Sequence, residues 1–273
     1  MSGSIIYPAL DDDHDLSILF IEVSGCLPMC GHGTIGTVTV AIEENLVQPK
    51  TPGLLVLDTP AGRVEASYRM DGNYVESVKL SNVPSFLHST ALEIEIPILG
   101  SLSLDVSYGG NFYAIIEQQH GYSDLEQLSI DEIRHLSPIV RTEINAIQEF
   151  VHPDNPQISG VSHVMWTGMP RTKGANSRNA VFYGDRGIDR SPCGTGTSAR
   201  MAQLVSRGDL AIGETFIHES IIGSQFVGRA EQKTTVGSYD GIIPTVEGWA
   251  RVTGKNEIII DDRDPYAHGF LLL

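Results

Sequence analysis

Two of the three cysteines in this chain lie in copies of one short motif. Residues 30–36 read Cys-Gly-His-Gly-Thr-Ile-Gly, and residues 193–199 read Cys-Gly-Thr-Gly-Thr-Ser-Ala. Both copies contain Cys-Gly-x-Gly-Thr, and each follows a predicted strand or turn and precedes a predicted helix. The copies lie far apart in the chain, which suggests one copy in each half.

The motif suits a reactive thiol and a binding site for an anion. A cysteine at a helix N-terminus lies beside unpaired backbone N–H groups, which stabilise the thiolate and are expected to lower the thiol pKa. Glycines let the backbone approach a ligand closely, and the free N–H groups after each cysteine can bind a carboxylate. We therefore predict that Cys30 and Cys193 act as base and acid on a small carboxylate.

Two equivalent thiols solve a particular chemical problem. Inverting a stereocentre by proton transfer requires a base on one face of the carbon and an acid on the other, with the roles exchanged in the reverse direction. If the two motifs face each other across a cleft, one sulfur lies on each side of the substrate Cα. The repeat favours a racemase or epimerase over the alternative that each cysteine is simply a small buried side chain.

Two other interpretations of these residues stay open. Cys26, Cys30 and His32 are residue types that bind zinc, although no second pair with fitting spacing accompanies them. A cysteine hydrolase is also conceivable, with His32 or His163 assisting Cys30. That mechanism leaves Cys193 without a role, so the epimerase interpretation explains more of the sequence.

The charge of the chain narrows the classes of partner. Its formal net charge is −16 and its pI is near 4.8, so its own field opposes binding to a phosphate backbone. We expect no nucleic-acid partner. Residues 11–15 read Asp-Asp-Asp-His-Asp, a run that could bind a cation but is more typical of a solvated loop, which is our prediction.

Cysteine usage and apolar patterning indicate a location in the cell. No apolar run is long enough for a membrane-spanning helix, and the N-terminus lacks the pattern of a signal peptide. We expect no membrane partner. Three cysteines, an odd number, favour free thiols in a reducing compartment, and we therefore predict a cytoplasmic protein.

The apolar periodicity predicts a mixed α/β protein in which strands predominate, and 273 residues suit two packed units. Helices are predicted over 33–44, 128–142 and 195–207, the last of which ends before Gly208. Strands are predicted over 16–23, 54–57, 62–68, 74–80, 103–108, 112–116, 163–166, 179–183, 215–217, 221–227, 242–246 and 249–252.

Both cysteine motifs closely resemble the signature motifs of the proline racemase and hydroxyproline epimerase family. The matching segments read Met-Cys-Gly-His-Gly-Thr-Ile-Gly over 29–36 and Asp-Arg-Ser-Pro-Cys-Gly-Thr-Gly-Thr-Ser-Ala over 189–199. They occur in the family's order and at about its spacing. The similarity extends from Ser2 to near the C-terminus and includes Tyr-Gly-Gly-Asn-Phe over 108–112.

This resemblance implies a fold and a set of site residues. The fold is α/β (α+β) and similar to diaminopimelate epimerase: two pseudo-symmetric halves, each a β-barrel-like sheet around a central helix, with the active site between them. Cys30 and Cys193 match the two catalytic bases, and Asp189 matches a residue that engages the substrate amine. Neither pyridoxal phosphate nor a metal is implied. The backbone groups that hold the substrate carboxylate are matched by Gly31, His32, Gly194 and Thr195.

The resemblance also suggests a substrate. Relatives that dehydrate trans-3-hydroxyproline carry threonine where this chain has Cys193, which argues for racemisation or epimerisation. Ser2 and His163 match positions where hydroxyproline epimerases tend to have a small polar residue and a histidine, which suits a ring hydroxyl. Tyr183 matches a third, less informative position. The expected reaction converts trans-4-hydroxy-L-proline to cis-4-hydroxy-D-proline, and the alternatives are a proline racemase or a relative that acts on trans-3-hydroxyproline.

The resemblance also implies how the chain is divided. Family members usually begin some tens of residues earlier, with a strand carrying a His-Thr-x-Gly-Glu-Pro-like motif, so we expect the first half to lack that strand. We predict a first half over 1–100, on which residues 256–273 could pack back, and a second half over 101–255. A truncated, inactive binder of small carboxylates is the non-enzymatic alternative. Formation of a homodimer is implied by the resemblance alone.

Overall fold

The computed structural model of the chain describes residues 2–22 and 25–269. Val23, at the end of the strand predicted over 16–23, and residues 270–273 of the predicted segment 256–273 lie outside the described residues. In chain order the elements are β1 (Gly3–Pro8), β2 (Leu16–Glu22), β3 (Gly25–Leu27), α1 (Gly31–Glu43), β4 (Leu54–Thr59), β5 (Gly62–Asp71), β6 (Tyr74–Ser81), β7 (Ser85–Ile96), β8 (Gly100–Tyr108), β9 (Phe112–Ile116), a 3₁₀ turn (Leu125–Gln127), α2 (Ile130–Ile147), β10 (Val151–His152), β11 (Asn155–Ser159), β12 (Val161–Gly168), β13 (Ser177–Tyr183), β14 (Gly187–Ile188), α3 (Gly194–Arg207), β15 (Thr215–Ser220), β16 (Gln225–Val236) and β17 (Tyr239–Gly248).

One hydrogen-bonded sheet runs through both halves of the described chain. Its strand order is β1-β2-β4-β5-β6-β17-β16-β15-β13-β12-β9-β8-β7. β17 pairs with β6 and also, at Gly241 and Ile242, with β7. Because of that second pairing, the eight strands from β17 to β7 close into a barrel, while β1 to β6 form an open sheet that shares β17 with it.

The two cysteine motifs lie in the same local topology. β2 pairs antiparallel with the short β3, is followed by α1, and pairs parallel with β4 after the helix. β13 in turn pairs antiparallel with the short β14, is followed by α3, and pairs parallel with β15. The sequence repeat is therefore also a structural repeat: a strand, a short return strand, a cysteine, a helix and a parallel strand.

Each cysteine helix lies against its own sheet. All residues from Gly194 to Gln203 in α3 are buried, as expected for a helix inside a closed barrel. On α1 the buried face includes Ile35, Val38 and Ala41. The predicted fold class, with a β-barrel-like sheet around a central helix, is confirmed, and both helices begin directly after their cysteines.

Some predicted elements differ from the observed ones. Residues 221–224 form the turn between β15 and β16 instead of a strand, because Gly223 adopts a φ of +87° there. The strand predicted over 249–252 is wrong, since β17 ends at Gly248. The helix predicted over 128–142 runs from Ile130 to Ile147, because Ser129 and Glu132 form a capping box at its start and its last turns bury Ile144.

The division at residue 100 stays a prediction. β7 precedes that residue and pairs with β8 in the barrel. Lys255, just before the predicted segment 256–273, forms an ion pair with Glu44 at the end of α1. None of the helices in residues 2–22 and 25–269 is long and apolar enough to cross a membrane.

Candidate active site

The N-termini of α1 and α3 meet between the open sheet and the barrel. Gly31 and Gly194, the first residues of the two helices, approach so closely that a Cβ on Gly31 would lie 2.6 Å from the Cα of Gly194. Glycine is required on both sides of this contact. The preceding residues, Cys30 and Cys193, cap the two helices and are both buried free thiols.

Both thiols line one small closed cavity. It measures about 10 Å³, roughly the space of one water molecule. A five-membered ring is larger than this space. The residues around this cavity are Glu22, Leu27, Met29, Cys30, Gly31, His32, His163, Tyr183, Asp189, Cys193 and Thr195.

A wider cleft of about 520 Å³ adjoins the inner cavity and shares His32, Tyr183 and Asp189 with it. Ser2 lies on the wall of this cleft. Its Oγ is buried and has no hydrogen-bond partner among the described residues. A buried hydroxyl without a partner is suited to accept or donate a hydrogen bond to a ligand in the cleft.

Cys30 lies beside a charged pair formed by His32 and Asp189. Its Sγ lies 3.6 Å from Nε2 of His32, and Nδ1 of His32 lies 3.2 Å from Oδ2 of Asp189. Burial disfavours the imidazolium, but the interactions of His32 with Cys30 and Asp189 outweigh burial and raise the pKa of His32 well above 6.5. An imidazolium at this position is the partner that a Cys30 thiolate needs.

Asp189 is anchored as well as charged. Its Oδ1 accepts hydrogen bonds at 2.9 Å from both the backbone N–H and the Oγ of Ser191. Burial opposes ionisation, but the His32 charge and these hydrogen bonds hold the pKa of Asp189 below its usual value. The carboxylate therefore stays negative and faces both the inner cavity and the cleft.

Cys193 has neutral partners instead. The Tyr113 hydroxyl lies 3.2 Å from Cys193 Sγ and 2.6 Å from Thr195 Oγ1. Burial, assisted by the charge of Asp189, raises the pKa of Cys193 to about 12, against the opposing effect of the Tyr113 hydrogen bond. The prediction of a lowered pKa is wrong for Cys193, because burial in the closed cavity outweighs the helix N-terminus.

The backbone at Cys193 is strained. Its φ is +63°, a value that residues with a Cβ rarely adopt. The preceding carbonyl of Pro192 accepts a hydrogen bond from Asn179 Nδ2 at 2.7 Å, and the N–H of Cys193 donates to Ser191 Oγ at 3.1 Å. These bonds fix the turn that aims the thiol into the cavity.

His163 lines the same cavity as the charged pair. Its ring lies 4.8 Å from that of Tyr113 and 6.4 Å from that of Tyr183, and its Nδ1 is 2.7 Å from Ser162 Oγ. Burial lowers the pKa of His163 to about 4, so the ring is neutral near pH 7. With Nδ1 bonded to Ser162, Nε2 is the nitrogen left for a ligand.

The structure thus gathers most of the predicted site residues around one cavity. Ser2 lies on the adjoining cleft, and Gly194 supports the contact between the helix ends. Cys26 is exposed on β3, and no group of ligand atoms in the described residues joins it to Cys30 and His32. Those three residues therefore do not form the zinc site that was the alternative.

Sequence reasoning missed Tyr113 and Ser191, two residues that contact Cys193 directly. Tyr113 directly follows the Tyr-Gly-Gly-Asn-Phe segment over 108–112, and Ser191 lies between Asp189 and Cys193 inside the second motif. Their closeness to matched segments was a signal. Their roles, however, depend on contacts with residues elsewhere in the chain, which spacing does not reveal.

The sequence of this chain is similar to those of proteins from one known family. The family model described as proline racemase matches residues 1–271. The 4-hydroxyproline 2-epimerase of Ancylobacter novellus is 58% identical over 273 residues, which are 100% of this chain and 82% of that protein. The 4-hydroxyproline 2-epimerase 2 of Brucella anthropi is 60% identical over 274 residues, covering 99% of this chain and 81% of that protein.

Several solved structures have a fold similar to that of this chain. A hydroxyproline epimerase of Agrobacterium vitis with bound trans-4-hydroxy-L-proline has a TM-score of 0.90 at 32% identity, covering 99% of this chain and 78% of that one. A probable proline racemase of Agrobacterium radiobacter with bound carbonate has a TM-score of 0.89 at 33% identity, covering 99% and 79%. A phenazine biosynthesis protein of Bacillus anthracis shares the fold, with a TM-score of 0.56 at 15% identity over 91% of this chain and 81% of that one.

Proposed function

Because this chain belongs to the proline racemase family, we propose that it is a 4-hydroxyproline 2-epimerase that converts trans-4-hydroxy-L-proline to cis-4-hydroxy-D-proline. The observation that carries the proposal is the pair of buried thiols, one at the start of each cysteine helix, on a single small cavity. The names of the curated relatives, and the ligand of the similar hydroxyproline epimerase structure, support this choice of substrate.

The substrate carboxylate binds between the two helix N-termini. The backbone N–H groups of Gly31 and His32 on one side, and of Gly194 and Thr195 on the other, belong to the first turns of α1 and α3. First-turn N–H groups are unpaired within a helix and attract anions. Asp189, negative and on the same cavity, pairs with the ring ammonium group of the imino acid.

Proton transfer then uses the unequal partners of the two thiols. Cys30, beside the His32 imidazolium, begins as the thiolate and takes the Cα proton, while the Cys193 thiol delivers its proton to the opposite face of Cα. As the Cα proton leaves, negative charge spreads into the carboxylate, where both helix N-termini stabilise it. The product leaves with the protonation of the two sulfurs exchanged, and proton exchange with solvent restores the starting state before the next turnover in the same direction. We propose that the two thiols and the two helix N-termini perform the reaction without a cofactor.

The ring hydroxyl is recognised by neutral polar groups. His163 offers Nε2 from the cavity wall, and Ser2 offers from the cleft an Oγ that has no hydrogen-bond partner in the described part of the chain. A site built to bind a hydroxyl discriminates against a ligand that lacks it, because its buried polar groups are then left without partners. The site therefore favours hydroxyproline over proline.

A proline racemase is the second candidate, favoured by the similarity to the probable proline racemase of Agrobacterium radiobacter. Chiral chromatography of 4-hydroxyproline, 3-hydroxyproline and proline, incubated with the protein in D₂O, separates the possibilities. We expect inversion and Cα deuteration of 4-hydroxyproline, with much slower reaction of the other two. Faster inversion of proline would favour the second candidate, and ligand binding without exchange would favour the inactive binder.

We also propose a cytoplasmic location and a homodimer. Free thiols at Cys26, Cys30 and Cys193 fit a reducing, cytoplasmic compartment. We propose that two copies of the chain form this dimer and that each chain divides into two halves near residue 100. Light scattering after size-exclusion chromatography would measure the oligomeric state.

A further inference from the structure

His14 is a buried histidine on the side of the open sheet, outside the active site. It lies in the loop between β1 and β2 and is 7% exposed. Neither of its ring nitrogens has a hydrogen-bond partner within residues 2–22 and 25–269. A buried polar group that lacks a hydrogen bond requires an explanation, and one explanation is a bound ion.

Carboxylate oxygens surround one of these nitrogens. His14 Nδ1 lies 3.1 Å from Asp58 Oδ1, 3.4 Å from Asp13 Oδ1 and 3.6 Å from Asp11 Oδ2. All three oxygens are close, yet none is placed to form a hydrogen bond with the ring nitrogen. Ligand atoms of Asp11, Asp13 and His14 lie within 4.8 Å of one another, a separation that ligands of a single metal ion can have.

Outer partners orient two of these carboxylates. Oδ2 of Asp13 accepts a hydrogen bond from Arg63 at 3.0 Å, and Oδ2 of Asp58 accepts hydrogen bonds from Leu10 N–H at 3.1 Å and Ser17 Oγ at 2.9 Å. In each case the other oxygen is the one that faces His14. Carboxylates that ligate metals are typically hydrogen-bonded by the protein through one oxygen, which leaves the other oxygen for the ion.

Positive charge near the cluster does not occupy its centre. Arg63 binds the outer oxygen of Asp13, and Lys50 donates through Nζ to the backbone carbonyls of Asp12 and His14. The side chains of Asp11 and Asp13 are 70% and 69% exposed, so a cation can reach the cluster from solvent.

We propose that Asp11, Asp13 and His14 bind a divalent transition-metal ion of the Mn²⁺ or Zn²⁺ class, with Asp58 as a further carboxylate beside it. An imidazole nitrogen combined with carboxylates suits such ions better than Ca²⁺ or Mg²⁺, which prefer oxygen ligands alone. Because Asp58 is on β4, the ion ties the loop over residues 9–15 to the open sheet. This site is independent of the proposed epimerase activity.

Titration with Mn²⁺, followed by loss of the electron paramagnetic resonance signal of the free ion, tests the proposal. Mn²⁺ disfavours thiolates, so Cys30 and Cys193 interfere little. We expect saturable binding and a rise in melting temperature with Mn²⁺. Asp11→Asn should weaken binding roughly tenfold or more, as should His14→Gln.

Asp12→Asn is the matched control, because it removes the same charge from the same loop without altering a proposed ligand. It should bind Mn²⁺ as the unmodified chain does. Asp11 is exposed, so its variant should fold even if the buried His14 variant does not. The proposal is overturned if the unmodified protein shows no saturable binding, or if Asp11→Asn and Asp12→Asn affect binding equally.

Discussion

The Cα atoms of Gly31 and Gly194 lie against each other, so the first residues of the two cysteine helices are in direct backbone contact. A Cβ on Gly194 would lie 2.7 Å from the Cα of Gly31, and the reverse distance is 2.6 Å. Each glycine directly follows a cysteine that lines the cavity. This contact therefore sets how closely the two thiols can approach a shared substrate.

Gly31→Ala should separate the helix ends and reduce turnover. Displacement of reacting groups by about 1 Å can cost on the order of 10²-fold in rate, and the added methyl group has no flexible neighbour to displace. Steady-state epimerisation kinetics would measure the loss. Gly36→Ala is the matched control, because a Cβ there meets nothing within 4 Å and the helix should tolerate or benefit from it. Equal activity in both variants would contradict this account of the contact.

Cys30→Ser and Cys193→Ser should each abolish inversion while the protein stays folded. Serine is nearly the same size as cysteine, but its hydroxyl is a far weaker acid and cannot serve as the base. Chiral chromatography would measure inversion, and thermal melts would check that stability changes by no more than about 1 kcal/mol. Cys26→Ser, at an exposed thiol outside the cavity, is the control and should keep full activity. Turnover retained in either buried-cysteine variant would refute the two-thiol mechanism.

The sequence was sufficient to predict the helices after Cys30 and Cys193, since glycine, threonine and apolar spacing are local signals. β7 was missed because its alternation is interrupted: Ala91 has a φ of +52°, and the pairing register with β8 shifts around it. β1 was missed for another reason. All of its residues are exposed, so no alternation between buried and exposed positions marks it as a strand.

Within the site, most of the residues predicted from the sequence line one cavity, but the sequence did not predict how the two thiols differ. The two motifs look alike, yet folding places His32 and Asp189 beside Cys30 and places Tyr113 beside Cys193. Asp189 lies far in sequence from His32, and Tyr113 lies far in sequence from Cys193. The resulting difference in charge around the two sulfurs is a property of the tertiary structure.

Tyr113→Phe should selectively impair Cys193. The Tyr113 hydroxyl is a partner of the Cys193 sulfur and lowers the pKa of that thiol, so its removal should raise the pKa further. Turnover should fall by roughly 10- to 100-fold, most in the direction where Cys193 is the base. The pH dependence of alkylation, read by mass spectrometry at each cysteine, should shift for Cys193 and not for Cys30.

Tyr122→Phe provides the comparison for Tyr113. Tyr122 is also a buried tyrosine with a bonded hydroxyl, but its partner is the Thr167 carbonyl, at 2.8 Å and outside the cavity. It should leave the alkylation profile of Cys193 unchanged even if it lowers stability. If both variants shift that profile alike, the effect of Tyr113 is a general loss of packing and not a specific hydrogen bond.

His163 should make the protein less stable as the pH falls below neutrality. Burial lowers the pKa of His163 to about 4 in the folded chain, whereas the unfolded chain titrates near 6.5. Between these values the unfolded state binds a proton that the folded state does not, so the free energy of unfolding falls as the pH decreases through this window. From pH 7 to pH 5 the contribution is on the order of 2 kcal/mol.

Replacing His163 with a residue that does not titrate isolates this contribution from the protonation of carboxylates. Urea unfolding of the unmodified chain and of His163→Asn at pH 7 and pH 5 would measure it, and the variant should lose less stability over that interval. His218 is also buried, and its pKa is lowered to about 3, so it contributes to the pH dependence of stability in the same direction. Because His218 is present in both proteins, its contribution cancels in the comparison. Parallel losses in the two proteins would mean that folding does not lower the pKa of His163, which would contradict the effect of burial described here.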